Sequence, residues 1–329
     1  MKKILLSLLA CGTLTAAAQN EIIMSDMNGD GVLSVEDVTL LTSTLLGERD
    51  LITYTCLPDD NTQSYTVNGV TFKMVLVEHG TFKMGWEDED GWEDEDGWDD
   101  EDGWDDEELV YRVTISKDYW IGETEVTQGL WYAVMGLRPT DDSEHQWESR
   151  LGRGNNYPAY SISWNDCQEF ITKLNQLTGQ TFRMPTEAEW EFAAKGGNKS
   201  QGYTYSGSND IEDVAWYTVN SYRKGESNPD YGTHPVATKQ PNELGIYDMS
   251  GNVYEWCSDR YDDYSSAAVT DLLLGRKVVT GATLGSERVF RGGSWLSFNA
   301  SCRTANRIFI TPTFRADNVG LRLALSAAE

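Results

Sequence analysis

Histidine is scarce: three residues in 329, at His79, His145 and His234, with no metal-ligand spacing among them. No Gly-x-Ser-x-Gly elbow accompanies them, so hydrolytic and nucleophilic chemistry have no constellation to work from. Cations are also few, with 26 Lys and Arg against 53 Asp and Glu and a formal net charge of −27. A surface that acidic repels phosphate backbones, which excludes nucleic acid as a partner. Long apolar runs are missing too. None approaches the roughly 20 residues that a membrane-crossing helix needs, so no transmembrane segment is expected. What the chain does have is aromatic bulk, with 12 Trp and 16 Tyr and 40% hydrophobic residues. That suffices for a large core in which ring bodies are buried and polar tips find partners.

The start, Met1-Lys-Lys-Ile-Leu-Leu-Ser-Leu-Leu-Ala10 followed by Ala16-Ala-Ala-Gln19, reads as a signal peptide over residues 1–18, cleaved after Ala18. Secretion, to the periplasm or the cell surface, is the expected destination. The alternative is a lipoprotein, with Leu8-Leu-Ala-Cys11 as a lipid-attachment box. Next, Asp26, Asn28, Asp30, Ser34 and Asp37 place oxygen side chains at positions one, three, five, nine and twelve of a loop. Gly31 turns it at six and Val32 offers a carbonyl at seven. This is the EF-hand ligand set for Ca²⁺, and Val38, Leu41 and Leu45 supply the following helix face. The bland alternative is a solvated acidic turn. Residues 19–50 form this segment, 51–64 a linker, and 65–329 the main domain.

Within that domain, Tyr65 to Val77 reads as two strands about an Asn68-Gly69 turn. Trp86, Trp92, Trp98 and Trp104 then open four units of four acidic residues each. This 86–108 tract lacks EF-hand register, since Trp would fall at position one. It reads as a solvated low-complexity insertion, or as an acidic-aromatic surface for a basic partner. Thr127 and Gly136 bracket one helix and Ser163 and Gly179 a second, in which Cys167 faces the core. The third, Arg183-Met-Pro-Thr-Glu-Ala-Glu-Trp-Glu-Phe-Ala-Ala-Lys195, carries a capping box at Thr186 and Glu189.

That helix, then Gly245-Ile-Tyr-Asp-Met-Ser-Gly-Asn-Val-Tyr-Glu-Trp256, then Arg288-Val-Phe-Arg-Gly-Gly-Ser-Trp295 with Cys302-Arg-Thr-Ala-Asn-Arg307 and Asn318-Val-Gly-Leu-Arg322, occur in order. In that order they resemble the sulfatase-modifying-factor family of formylglycine-generating enzymes, from about Val70 to Leu325. The resemblance implies an α+β fold of the C-type lectin-like class, with short helices, small antiparallel sheets and extensive loops. The Asp26–Asp37 segment resembles half of a dockerin, which implies a cohesin-like partner, although no second loop is present.

The family resemblance implies calcium held by Asp248, the carbonyls of Gly251 and Val253, and Glu255. It also implies Cu(I) held between two thiolates, where the copper activates O₂ to oxidise a substrate cysteine. Here the first of those positions falls at Ser297, and a hydroxyl is a poor ligand for a soft ion. The second falls near Cys302, the one remaining candidate catalytic residue. Cu(I) is therefore not expected. The resemblance brings Cys257 and Cys302 to one face and suggests a disulfide between them. The C-terminal loops carry Phe298, Ile308, Phe309, Ile310 and Phe314, either as an exposed contact surface or turned inward. The sequence thus favours a calcium-stabilised binding module for a protein or carbohydrate. Its ligand surface is expected at Trp295, Ser297, Phe298, Arg303, Asn306, Arg307 and Phe309. The alternative is a copper-dependent oxidoreductase that makes formylglycine.

Overall fold

The structure, a computed structural model, describes residues 61–86, 110–137, 146–261, 269–270 and 287–327. The expected signal peptide, the calcium loop from Asp26 to Asp37, the acidic tract beyond Trp86 and His145 lie outside these residues. The chain opens with β1 (Thr62–Val67), three residues before the expected domain start, and β2 (Val70–Val77). Asn68 and Gly69 join them, both at positive φ, as a two-residue hairpin demands. β3 (Gly80–Met84), β4 (Tyr111–Ile115) and β5 (Tyr119–Gly122) follow.

Helix α1 (Gln128–Met135) starts where Thr127 Oγ1 accepts the Leu130 N–H and stops at left-handed Gly136. Helix α2 (Trp164–Thr178) has a full capping box between Ser163 and Asp166 and ends at left-handed Gly179. Its buried stripe is Cys167, Phe170, Ile171, Leu174 and Thr178, the spacing of one helical face. After β6 (Phe182–Arg183) comes α3 (Glu187–Ala194), with its own capping box between Thr186 and Glu189. All eight α3 residues are buried, so this helix runs through the interior and its three glutamates must find cations there. A single turn, α4 (Ile211–Val214), stands in an irregular stretch. Strands β7 (Tyr254–Arg260), β8 (Val269–Thr270), β9 (Arg288–Arg291), β10 (Arg307–Ile310), β11 (Val319–Gly320) and β12 (Ala324–Ser326) complete the chain.

Three small sheets result, in the orders β1-β2-β5-β12-β6, β10-β9-β7-β11 and β3-β4-β8. The five-stranded one is antiparallel throughout, and the last strand lies inside it, between β5 and β6. One apolar cluster joins this sheet to α1 and α2 around Trp131, Trp147, Phe170, Trp256 and Trp295. A second surrounds α3 with Ile121, Trp190, Phe192, Met249, Cys257 and Val289. The 307–310 segment, expected as a loop, is instead a strand paired with β9.

Candidate functional site

The motif residues meet in the interior, as ion pairs. Glu187 of α3 accepts from Arg307 Nε at 2.8 Å and Nη2 at 2.9 Å, and lies 3.1 Å from Arg291 Nε. Glu191 pairs with Arg291 and with Lys195. Arg291 also donates to the carbonyls of Ala305 and Asn306. Glu255 of β7 holds Arg322 through three contacts at 2.6–2.9 Å, and its Oε2 accepts from Trp190 Nε1 at 2.6 Å. The other Arg322 protons go to the carbonyls of Gly122 and Tyr247. Every one of these charges is paired, and all but Lys195 are buried, which is the condition under which a folded interior tolerates them.

This arrangement bears on the expected calcium set. The turn at Asp248–Asn252 is tight, with Asp248, Gly251 and Asn252 all at positive φ. A side chain at Gly251 would collide with the Trp216 carbonyl, so glycine is required there. Asn252 donates to Glu125 Oε1 and accepts from the His234 N–H, which stitches the turn to the β5–α1 connection and to the 232–238 loop. Asp248 accepts from the Ala237 N–H. Both Glu255 oxygens, however, are filled by Arg322 and Trp190. Glu255 has no lone pair left for a cation, and calcium does not fit through that residue. Among the described residues no three His, Cys, Asp or Glu side chains form a metal group. The neighbouring acids Glu125 and Asp248 respond to burial by holding protons: Glu125 is pushed well up, and Asp248 to about 6, with burial the larger cause in each case.

The copper position is equally closed. Ser297 Oγ sits 2.9 Å from Ser294 Oγ and 3.2 Å from the Tyr254 hydroxyl, and accepts from the Ser294 N–H. Asn318 closes this hydroxyl cluster with a bond to Ser294 Oγ. Cys302 is fully buried beside Tyr205, Val214, Ala215 and Tyr217, and burial pushes its thiol up to about 12. At neutral pH it stays protonated, and the thiol form is a poor metal ligand and a poor nucleophile. A Cu(I) centre does not fit these residues. The expected Cys257–Cys302 bridge is corrected too: both are free thiols, and they belong to separate apolar clusters.

The ligand surface expected in the C-terminal loops is largely interior. Trp295, Ser297, Arg303, Asn306 and Arg307 are buried. Arg307 turns in to meet Glu187, Arg303 stacks over Trp86 at 5.1 Å, and Trp295 is packed by Tyr222 and Tyr231. Phe309 is exposed, but it stacks on Tyr261 at 3.7 Å. Phe298 is 47% exposed, and sequence reasoning missed its companions, Tyr222 at 48% and Val219 at 42%. The 217–223 loop is tied to the Phe298 loop by the Thr218 N–H to Ser297 carbonyl bond, and Arg223 lies over the Phe298 ring at 5.3 Å. The one signal for this loop was its Tyr- and Asn-rich irregularity. A separate open cavity of about 600 Å³ lies between α2, β6 and the end of β4; of its charged lining residues, Arg183 and Glu189 pair with each other and Asp118 pairs with His79. No described helix is long and apolar enough to cross a membrane.

A family model described as "sulfatase-modifying factor enzyme 1-like domain" matches residues 61–327. A formylglycine-generating enzyme of Thermomonospora curvata is 28% identical over 76% of this chain and 92% of its own length. An inactive C-alpha-formylglycine-generating enzyme 2 of Bos taurus is also 28% identical, over 80% of this chain and 91% of its own. Among solved structures, Treponema denticola variable protein 1 superposes with a TM-score of 0.61 at 29% identity, covering 81% of this chain and 99% of that one.

Proposed function

Because the chain belongs to the sulfatase-modifying factor enzyme 1-like family through residues 61–327, we propose that it is a non-catalytic binding module of that family. The observation that carries this reading is the pair Ser297 and Cys302. A hydroxyl in a closed hydrogen-bonded cluster stands where one of the two soft ligands is required, which leaves Cys302 as a single buried thiol. Active and inactive relatives match this chain equally well, so kinship leaves the question to these residues. The proposed ligand surface is the exposed group Val219, Tyr222, Arg223 and Phe298, set on the half-buried ring of Tyr231 and the buried ring of Trp295. Rigid rings with polar edges suit a protein or carbohydrate ligand. Secretion through residues 1–18 and calcium in the Asp26–Asp37 loop complete the proposal.

The test is a Cu(I) titration with O₂ uptake on a cysteine-containing peptide. No stoichiometric copper and no uptake are expected. Turnover that disappears in Cys302→Ser would overturn the proposal in favour of an oxidoreductase.

A further inference from the structure

Arg260 ends β7 and Arg288 begins β9, and the strand register makes them direct partners. Side chains of such a pair leave the sheet on one face, about 5 Å apart at Cβ, where like charges repel. Both residues are half-buried rather than splayed into solvent. Arg288 lies 4.0 Å over the ring of Trp164 and donates to the Ser258 carbonyl at 2.9 Å. Burial and then the charge of Arg260 pull its pKa below the ordinary guanidinium value. The acid whose field reaches Arg288 is Asp259, but that carboxylate is committed elsewhere. It accepts the Glu187 N–H at 2.9 Å, at the start of α3, and the Ser258 hydroxyl at 3.0 Å. Among the described residues the Arg260 side chain makes no hydrogen bond and no ion pair. In a chain with twice as many acids as cations, two opposed guanidinium groups with no described carboxylate between them are an anomaly.

We propose that Arg260 and Arg288 together hold one oxyanion, a carboxylate or sulfate on an otherwise uncharged small ligand whose apolar body rests against Trp164 and Ile310. Two guanidinium forks match the spacing of oxygens on such a group, and the anion replaces their repulsion with shared attraction. Ile310 is the cross-strand partner of Arg288 on the same face and is half-buried, so an apolar surface adjoins the charge. The ligand carries a single charge because a protein of net charge −27 repels polyanions at long range. The site shares no residue with the Tyr222–Phe298 surface and stands whether or not that surface binds anything.

The test is an NMR titration of the arginine Nε–H signals in the full-length protein at low salt, with glucuronate, glucose 6-sulfate and glucose as probes. Saturable shifts of the Arg260 and Arg288 signals are expected with one or both anions and not with glucose; the tighter anion identifies the group. In Arg260→Gln the affinity falls on the order of tenfold, and in the Arg260→Gln/Arg288→Gln double variant binding is lost. The melting temperature of Arg260→Gln is unchanged or raised, since a like-charge pair has been removed. The proposal is overturned if neither anion moves these signals, if glucose moves them equally, or if the affinity is unchanged in Arg260→Gln. A marked fall in the Arg260→Gln melting temperature would overturn it as well, because Arg260 would then already be paired within the chain.

Discussion

Arg322→Met is the sharpest test of the buried charge network. Arg322 is fully buried, and its guanidinium neutralises Glu255 while satisfying the carbonyls of Gly122 and Tyr247. Methionine keeps much of the volume but leaves Glu255 buried beside Glu125 and Asp248 with no cation. Removing one partner of a buried pair costs about 3–5 kcal/mol, and two orphaned carbonyls add to it, though not in full. A loss of about 4–5 kcal/mol is expected, which lowers the melting temperature by roughly 10–15 °C in a domain of this size. Urea unfolding followed by tryptophan fluorescence measures it. The double variant Arg322→Met/Glu255→Gln should recover about 2 kcal/mol, because the uncompensated charge is then gone. A single-variant loss below about 1 kcal/mol, or a double variant no better than the single, would refute the assignment of this pair as the fold's electrostatic keystone.

Two buried groups should titrate in opposition. Burial holds His234 down at about 4, so its contribution is present above pH 6.5 and fades as pH falls towards 4. Asp248 is held up at about 6, so its contribution is present below about pH 3.8 and is lost as pH rises through 6. Between pH 7 and 4.5, stability of His234→Gln should therefore rise relative to the parent by up to about 3 kcal/mol, and that of Asp248→Asn should fall by about 2 kcal/mol; parallel curves would count against both. Ser163→Ala removes the α2 capping box and should cost about 1 kcal/mol in urea unfolding. Isothermal titration of the full-length protein should find calcium binding that disappears in Asp26→Ala/Asp37→Ala; binding unchanged in that variant would remove the EF-hand assignment.

Much of the fold was legible in the sequence because its signals are local. Thr186 and Glu189, Ser163 and Gly179, and Asn68-Gly69 each act within four residues, and each does what its spacing predicts. The candidate site was less legible because its residues are fixed by partners far along the chain. Arg307 reads as a surface cation in a loop, yet its partner Glu187 lies 120 positions away. Glu255 reads as a metal ligand until Arg322, 67 positions later, fills it. In β10, Arg307 and Phe309 share one face and both lie against the Tyr261 ring, yet Arg307 is buried on Glu187 and Phe309 stays exposed, a difference that no local pattern encodes. The Val219–Arg223 loop has no periodicity at all, so only its packing against Phe298 reveals it.

The position of β12 has a consequence for how the molecule is made. This strand is the bridge between β5 and β6 and seals a sheet begun some 260 residues earlier. A nascent chain therefore waits with open strand edges until β12 has been made and has emerged. Deletion of β12 would strike the amino-terminal half of the domain as hard as the carboxy-terminal half.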